Sequence, residues 1–198
     1  AATLPNFSVA CNHVLPPPAI AALRPAPAAA DIARPRRDGI LGPAHVSVII
    51  GSAPYAFAAS RHRKPVVIAG FEPLDVMQAV RMLVRQVNEG RAEVENEYTR
   101  AVTPEGNRKA QALMDAVLEL RATFAWRGLG ELPASALRIR PAFAAWDAEA
   151  KFGLDDRPVP DHKSCECAAI LCGALAGLVV GYRAVAYTHP TTPTICRV

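Results

Sequence analysis

Four cysteines in the carboxyl-terminal part of the chain are the residues whose type and spacing most directly suggest chemistry. Cys165, Cys167 and Cys172 lie in "SCECAAILCG", residues 164–173, and Cys196 lies in the closing "PTICRV". Clustered thiols of this kind bind a metal or an iron–sulfur cluster, form disulfides, or pack as inert side chains. Their spacing matches no standard zinc pattern, which requires two close pairs. From the cysteines alone, metal binding and packing both remain open.

The chemistry of these thiols depends on the compartment. The opening "AATLPNFSVA" lacks the basic region and the apolar run of a secretory signal, so we expect a cytoplasmic, reducing setting. There, clustered cysteines indicate metal or redox chemistry more often than structural disulfides. The longest uncharged stretch, residues 167–182, is shorter than the roughly 18–20 apolar residues of a membrane span. We therefore expect a buried element there and no membrane association.

Charge and composition exclude little but favour a globular protein. Hydrophobic residues make up 51% of the chain and charged residues 20%, as in ordinary globular domains. The net charge of +4 would permit contact with nucleic acid, but the basic residues are scattered. Their densest cluster, "RPRRDG" at 34–39, is typical of a solvated loop, and no nucleic-acid-binding motif accompanies it. We expect no nucleic-acid partner.

Two further groups of polar residues could do chemistry. Cys11, Asn12 and His13 follow a predicted strand at 6–11 and bring together a thiol, an amide and an imidazole. A Cys–His pair can act as nucleophile and base, but a buried thiol beside a hydrogen-bonded histidine explains the same residues. His45, in "GPAHVS", is either aimed into a cleft by its loop or a structural histidine.

The segment "AGFEPLD" joins a predicted strand to a predicted helix. Gly70, Phe71 and Glu72 then lie at the carboxyl end of the strand, where open α/β sheets bind ligands beside free N–H groups and a helix dipole. The alternative is a tight turn in which Glu72 caps the start of the helix.

The elements that must position these residues are predicted from apolar patterns. Residues 45–51 and 64–70 are β-branched apolar runs, as in the buried strands of a parallel sheet. A helix is predicted from Pro73 to a stop at Gly90, with a second long helix capped by Asn107. Their apolar positions are Val76, Ala79, Val80, Leu83, Val84 and Val87 in the first, and Ala110, Leu113, Met114, Val117, Leu120 and Phe124 in the second. The fold class is therefore α/β: a mainly parallel sheet with flanking helices, followed by an irregular cysteine-bearing tail.

Several motifs, taken in order, resemble a known family. "GPAHVSVIIG", "KPVVIAGFEPLDVMQAVRMLVRQ", "VENEYTRAV", "WRGLGELPAS" and "CECAAIL" are similar to segments of the HypD family of hydrogenase maturation (hydrogenase formation) proteins. The resemblance runs over residues 6–173. The family motifs "CGTH" and "GPGCPVC", which belong upstream, are missing, so we interpret the chain as a carboxyl-side fragment.

The resemblance implies α/β lobes around a cleft and a carboxyl-terminal [4Fe–4S] cluster. It implies work with the partners HypC and HypE in assembling the Fe(CN)2CO group of [NiFe]-hydrogenases, with the cluster and cleft thiols supplying electrons. By the same resemblance, the residues that approach the cleft and its iron unit are Cys11, Asn12, His13, His45 and Glu72.

The resemblance also assigns the cysteines. Cys167 and Cys196 match the first two cluster ligands of the family, and Cys165 is a possible substitute. The segment between Cys167 and Cys196 is longer than in the family, and no residues match the third and fourth ligands. We therefore expect an incomplete cluster site, with Cys172 as a packed thiol.

Three regions are expected on this basis: the end of a first lobe with a linker (1–38), an α/β lobe (39–153) and an incomplete iron–sulfur tail (154–198). Two alternatives remain. One is a non-catalytic α/β lobe that binds a ligand or a protein and has inert cysteines. The other is a zinc-binding tail.

Overall fold

The protein is described by a computed structural model over residues 6–22, 38–126 and 129–154. The predictions for Cys165, Cys167, Cys172 and Cys196 lie outside the described residues.

A three-stranded parallel sheet forms the centre of the longest described range. Its strands are β2 (Ile40–Pro43), β3 (Val66–Ala69) and β4 (Val94–Asn96), in the order β2-β3-β4. The side chains of Val66, Val67 and Ile68 in the central strand are completely buried. Burial of one such side chain stabilises a fold by about 1.5–3 kcal/mol. The predicted strand at 64–70 and its parallel pairing are confirmed.

Helices cover both faces of this sheet, which confirms the α/β class. They are α2 (Ala44–Ile50), α3 (Ala56–His62) and α4 (Pro73–Asn88), and a further helix, α5 (Arg108–Val117), packs against α2. On one face Ile68 packs in a core with Tyr55 and Ala58. On the other face Val67 packs against Ala79 of α4. The predicted helix at Pro73 is confirmed, and so is the cap at Asn107, whose side chain accepts a hydrogen bond from the amide of Ala110 at 3.1 Å.

The prediction of a strand at 45–51 is wrong: this segment is helix α2, and the strand is the preceding β2. The β-branched composition favours a strand, but burial follows helical spacing, with Ala44 and Ser47 buried three residues apart. Ser47 Oγ donates to the carbonyl of Pro43 at 2.8 Å, one helical turn back, and lies 3.3 Å from Tyr55 Oη. Packing against Tyr55 therefore outweighs intrinsic propensity.

The remaining strands pair antiparallel. A second sheet has the order β1-β8-β5, and a separate hairpin pairs β6 with β7. The strands are β1 (His13–Val14), β5 (Leu118–Leu120), β6 (Thr123–Trp126), β7 (Gly130–Pro133) and β8 (Ala136–Ile139). Two short α-helices, α1 (Pro16–Ala22) and α6 (Ala148–Phe152), and two 3-10 helices, Ala53–Tyr55 and Pro141–Trp146, complete the described elements.

Two element boundaries predicted from the sequence are wrong in this region. Residues 6–11 do not form a strand, because only Val9 makes a bridge, parallel to Asp147. The second long helix does not reach Phe124: it ends at Val117, where Leu118 takes up an extended conformation and pairs with Ile139 of β8. Backbone hydrogen bonds to β8 replace the helical bonds that the apolar pattern alone predicted.

Helix α4 buries a face that overlaps the predicted one only in part: Ala79 is buried and Leu83 packs against the core around Val67, as predicted. Its buried residues are Asp75, Ala79 and Gln86, whereas Val80, Val84 and Val87 are exposed. In the described part of the chain, no helix combines the length and the apolarity that a bilayer span requires.

The division of the chain into the regions 1–38, 39–153 and 154–198 stays a prediction.

Candidate functional site at the carboxyl edge of the parallel sheet

Three segments leave the parallel sheet at the same edge. His45 follows β2, Gly70 to Glu72 follow β3, and Glu97 to Arg100 follow β4. Parallel strands direct their carboxyl ends to one side, so side chains that are distant in sequence meet there. This edge is where open α/β sheets bind ligands.

His45 and Phe71 are in contact at this edge. His45 lies in the first turn of α2, and its ring centroid is 5.1 Å from that of Phe71, with the ring planes tilted by 40°. Partial burial lowers the pKa of His45, because desolvation disfavours the imidazolium. At neutral pH the ring is therefore neutral and keeps a nitrogen lone pair, which can accept a proton or bind a metal.

Asp75 and Arg100 form the strongest ion pair of this edge. Arg100 Nη1 donates to Asp75 Oδ1 at 3.0 Å, and Nη2 donates to Oδ2 at 2.6 Å. The same guanidinium lies 3.5 Å from Glu72 Oε2 and stacks over the ring of Tyr98, 4.0 Å from its centroid. Hydrogen bonds and charge from Arg100 lower the pKa of Asp75, as does the amide of Glu72. Asp75 is therefore ionised.

Glycine is required at position 70 for these residues to come together. A Cβ at Gly70 would collide with Asp75 Oδ2 and would lie 2.7 Å from ring carbons of Tyr98. The side chain of Glu72 occupies the N-cap position of α4 but makes no capping hydrogen bond and is exposed. Glu72 is thus a carboxylate presented to solvent beside Arg100, and the capping alternative is not observed.

Glu97 is a half-buried carboxyl group whose pKa is shifted in the opposite direction to that of Asp75. Its Oε2 atom is buried and has no hydrogen-bond partner among the described residues. Burial, followed by the negative charge of Asp75, raises the pKa of Glu97. One edge therefore combines an ionised Asp75, a carboxyl group at Glu97 that retains its proton to higher pH, and a neutral His45. Groups whose pKa values are shifted apart can give and accept protons around a bound ligand.

Cys11 and His13 are brought together on the second sheet. Cys11 is 3% exposed, and its Sγ lies 3.2 Å from His13 Nδ1 and donates to the carbonyl of Leu137 at 3.4 Å. Arg121 donates to the carbonyls of Cys11 and Leu137 and pairs with Glu149.

The environment of Cys11 favours the thiol. Burial raises its pKa, and hydrogen bonding at His13 and the charge of Arg121 offset this only in part. A reactive thiolate requires the opposite shift and greater access to solvent. The structure thus matches the interpretation of a buried thiol beside a hydrogen-bonded histidine.

The predicted site residues therefore fall into two groups. His45 and Glu72 lie at the carboxyl edge of the parallel sheet, whereas Cys11, Asn12 and His13 lie at and before β1 in the other sheet. Sequence reasoning missed Asp75, Glu97 and Arg100 as site residues. Their positions carried a signal: Glu97 and Arg100 directly follow the third parallel strand, and Asp75 lies in the first turn of α4.

Within 6–22, 38–126 and 129–154, no cluster of three or more His, Cys, Asp or Glu side chains is arranged to hold a metal ion. Cys11, which is free and buried, is the one cysteine in these ranges. The described residues therefore do not fit a [4Fe–4S] cluster, and the predicted ligands Cys165, Cys167 and Cys196 lie outside them.

The chain is similar to known hydrogenase formation and maturation proteins. Residues 1–178 match the model of the HypD family, described as "Hydrogenase formation hypA family". The chain is 61% identical over 168 residues to "Hydrogenase maturation factor HypD" of Cupriavidus necator, covering 85% of this chain and 44% of that protein.

Two further relatives give the same result. The chain is 59% identical over 171 residues to "Hydrogenase expression/formation protein HupD" of Azotobacter chroococcum, covering 86% of this chain and 45% of the relative. It is 37% identical over 168 residues to "Hydrogenase maturation factor HypD" of Escherichia coli K12, covering 85% and 43%. The chain thus spans less than half the length of these curated relatives.

Proposed function

The chain belongs to the HypD family of hydrogenase formation proteins, and on this premise we propose that it acts in hydrogenase maturation as an iron–sulfur scaffold. It would support assembly of the Fe(CN)2CO group of [NiFe]-hydrogenase in the cytoplasm, in a complex with HypC-like and HypE-like partners. The observation that carries the proposal is the 61% identity to a hydrogenase maturation factor over 85% of the chain.

The iron unit is the cargo of this reaction, and the carboxyl edge of the parallel sheet is the surface that would receive it. His45 supplies a neutral imidazole beside Phe71. Glu72 supplies an exposed carboxylate that Arg100 orients. Glu97 would retain its proton to higher pH than an ordinary glutamate, because burial raises its pKa. Cys11, Asn12 and His13 form the second group proposed to approach the cleft.

The proposed cluster would be held by Cys167 and Cys196, with Cys165 as a possible substitute. A [4Fe–4S] cluster bound there would supply electrons. The described residues contain no alternative group of metal ligands. The sequence offers no match to the third and fourth ligands of the family, so we propose that this polypeptide by itself holds an incomplete cluster.

Hydrogenase maturation can be tested in a chimera. Residues 6–173 of this chain would replace the matching region of the Cupriavidus necator relative in a strain that lacks its own copy. We expect hydrogenase activity to be restored, and His45→Ala or Glu72→Gln to reduce it at least about tenfold, as loss of a residue that contacts the reacting group does. Arg108→Gln on the exposed start of α5 is the control. A chimera that accumulates but restores no activity would contradict the maturation role.

Metal content and partner binding are tested on the full chain. After anaerobic reconstitution, iron and sulfide with broad visible absorption indicate a cluster, whereas zinc without sulfide supports the zinc-binding tail.

A HypC-like protein should co-purify with the anaerobically prepared chain. Failure of the intact relative to bind its own HypC-like protein would remove the partner proposal.

A further inference from the structure

Helix α4 presents an apolar stripe to solvent. The stripe consists of Met77, Val80, Val84 and Val87, which are 67%, 40%, 53% and 42% exposed. Leu74, which is 84% exposed, extends it by one turn towards the amino end of the helix. Isolated exposed apolar residues are common on protein surfaces, but a contiguous row of them marks an interaction surface.

The stripe has the dimensions of a helix-binding surface. Its residues recur three or four positions apart, so they align along one side of α4 and cover about 15 Å at 1.5 Å per residue. An amphipathic helix that binds such a surface contributes apolar residues with the same spacing. Because Asp75, Ala79 and Gln86 already pack against the protein, the stripe is separate from the face that holds α4 to its sheet.

Arg81 gives one flank of the stripe a positive charge. Arg81 lies four residues after Met77 and three before Val84, so it is a neighbour of both on the helix surface. Its contact in the described part of the chain is a long hydrogen bond of 3.4 Å to Gln78, which leaves its charge uncompensated there. Arg85, one turn further, is 71% exposed and pairs with Glu89.

From this combination we propose that the α4 stripe binds an amphipathic α-helix of a partner protein whose apolar residues are flanked by Asp or Glu. Acidic residues on that helix would meet Arg81, and would set its orientation and specificity. A second copy of this chain fits less well, since it would bring a second arginine flank against the first. The stripe lies on the outer side of α4, so helix binding is independent of whether an iron unit binds at the sheet edge.

The test uses the full chain and two designed helical peptides of about 18 residues, a length that covers the stripe. Both peptides carry leucines at helical spacing, one with flanking glutamates and the other with flanking lysines, and binding is measured by fluorescence anisotropy. We expect the glutamate peptide to bind and the lysine peptide to bind at least tenfold more weakly. Equal binding of both peptides, or no binding of the glutamate peptide, would overturn the proposal.

Matched variants locate the binding surface. Met77→Glu and Val84→Gln should each weaken binding of the glutamate peptide at least tenfold. Leu113→Glu is the control, since Leu113 on α5 is 69% exposed, almost the same as Met77. Circular dichroism verifies that each variant is folded. If Met77→Glu does not fold, Val84→Gln still tests the surface. A Leu113→Glu effect as large as that of Met77→Glu would contradict the assignment to α4.

A charge reversal tests the role of the arginine flank. Arg81→Glu should reverse the preference, so that the lysine peptide binds more tightly than the glutamate peptide. If Arg81→Glu still binds the glutamate peptide more tightly than the lysine peptide, the proposal that the partner helix is acidic is wrong. Analytical ultracentrifugation tests whether a second copy of this chain occupies the stripe. A dimer that Met77→Glu dissociates would contradict the proposal, and a monomer supports it.

Discussion

Arg100 binds both carboxylate oxygens of Asp75 with its two terminal guanidinium nitrogens, at 3.0 and 2.6 Å. The pair joins the segment after β4 to the first turn of α4 across 25 residues of sequence. Because the same guanidinium approaches Glu72, the pair also fixes where that exposed carboxylate stands. The carboxyl edge of the sheet therefore depends on Arg100 for its geometry.

Removal of the arginine should destabilise the protein in a pH-dependent way. Arg100→Gln leaves the buried Asp75 carboxylate without its cation, and we expect a melting temperature lower by about 2–4 °C at pH 7. The pKa of Asp75 is lowered in the folded state, so its ionised form stabilises the protein above the unfolded pKa. That contribution is lost as the pH falls below about 4, where the unfolded chain takes up the proton.

The measurement is thermal unfolding of both proteins between pH 3 and pH 7. Arg108→Gln is the control, because Arg108 is an exposed arginine whose hydrogen bond is to Gln111 at 3.4 Å. A difference between wild type and Arg100→Gln that stays constant down to pH 3 would show that the ion pair does not contribute.

Glu97→Gln should stabilise the protein with the opposite dependence on pH. Burial raises the folded pKa of Glu97, so the folded state holds a proton that the unfolded chain releases above about pH 4.3. The protonated carboxyl therefore favours folding at low pH, and this contribution disappears as the pH rises through the folded pKa. We expect similar midpoints of urea unfolding for the two proteins at pH 4, and a higher midpoint for Glu97→Gln at pH 7. If the difference between the two unfolding midpoints becomes smaller as the pH rises, the pKa of Glu97 is not raised in the folded protein.

Gly70→Ala should destabilise the protein because the added methyl group collides with Asp75 Oδ2 and crowds Tyr98. Overpacking of this kind costs about 1–3 kcal/mol of unfolding free energy. The double variant Gly70→Ala/Asp75→Ala separates the two contacts. If Asp75 is the principal obstacle, Gly70→Ala costs less in the Asp75→Ala background, and strictly additive losses would exclude this explanation.

Cys11 should resist alkylation in the folded protein. Its thiol is buried and its pKa is raised, so we expect iodoacetamide to modify it at least about tenfold more slowly than in denaturant. Mass spectrometry of the peptide that contains Cys11 measures the rate separately from the other cysteines, and Cys11→Ser identifies that peptide. Rapid modification at neutral pH in the folded state would show that Cys11 is an activated thiol.

The sequence predicted those elements whose pattern is local and complete. The apolar run at 64–70 was predicted as a buried strand and is one, and Pro73, the helical spacing and Gly90 bounded α4 correctly. Asn107 was identified as a cap because its side chain serves an amide only three residues away. The family resemblance rested on motifs in linear order, and the match over residues 1–178 confirms it.

The same local patterns failed where long-range packing decides. The β-branched residues of α2 favour a strand, but burial of Ala44 and Ser47 against Tyr55 requires a helix. Leu118 continues a helical apolar pattern, but pairing with Ile139 makes it a strand. Short apolar runs are ambiguous between helix and strand until their burial partners are known.

The candidate site divides in the same way. The sequence by itself named His45, Glu72 and the Cys11–His13 pair as candidates, and their role in a site stays a prediction. Only the tertiary structure joined Asp75 to Arg100 and buried Glu97 beside them, because parallel strands bring together residues that the chain separates. A pKa depends on burial and on neighbouring charges, and both are properties of the fold rather than of the residue type.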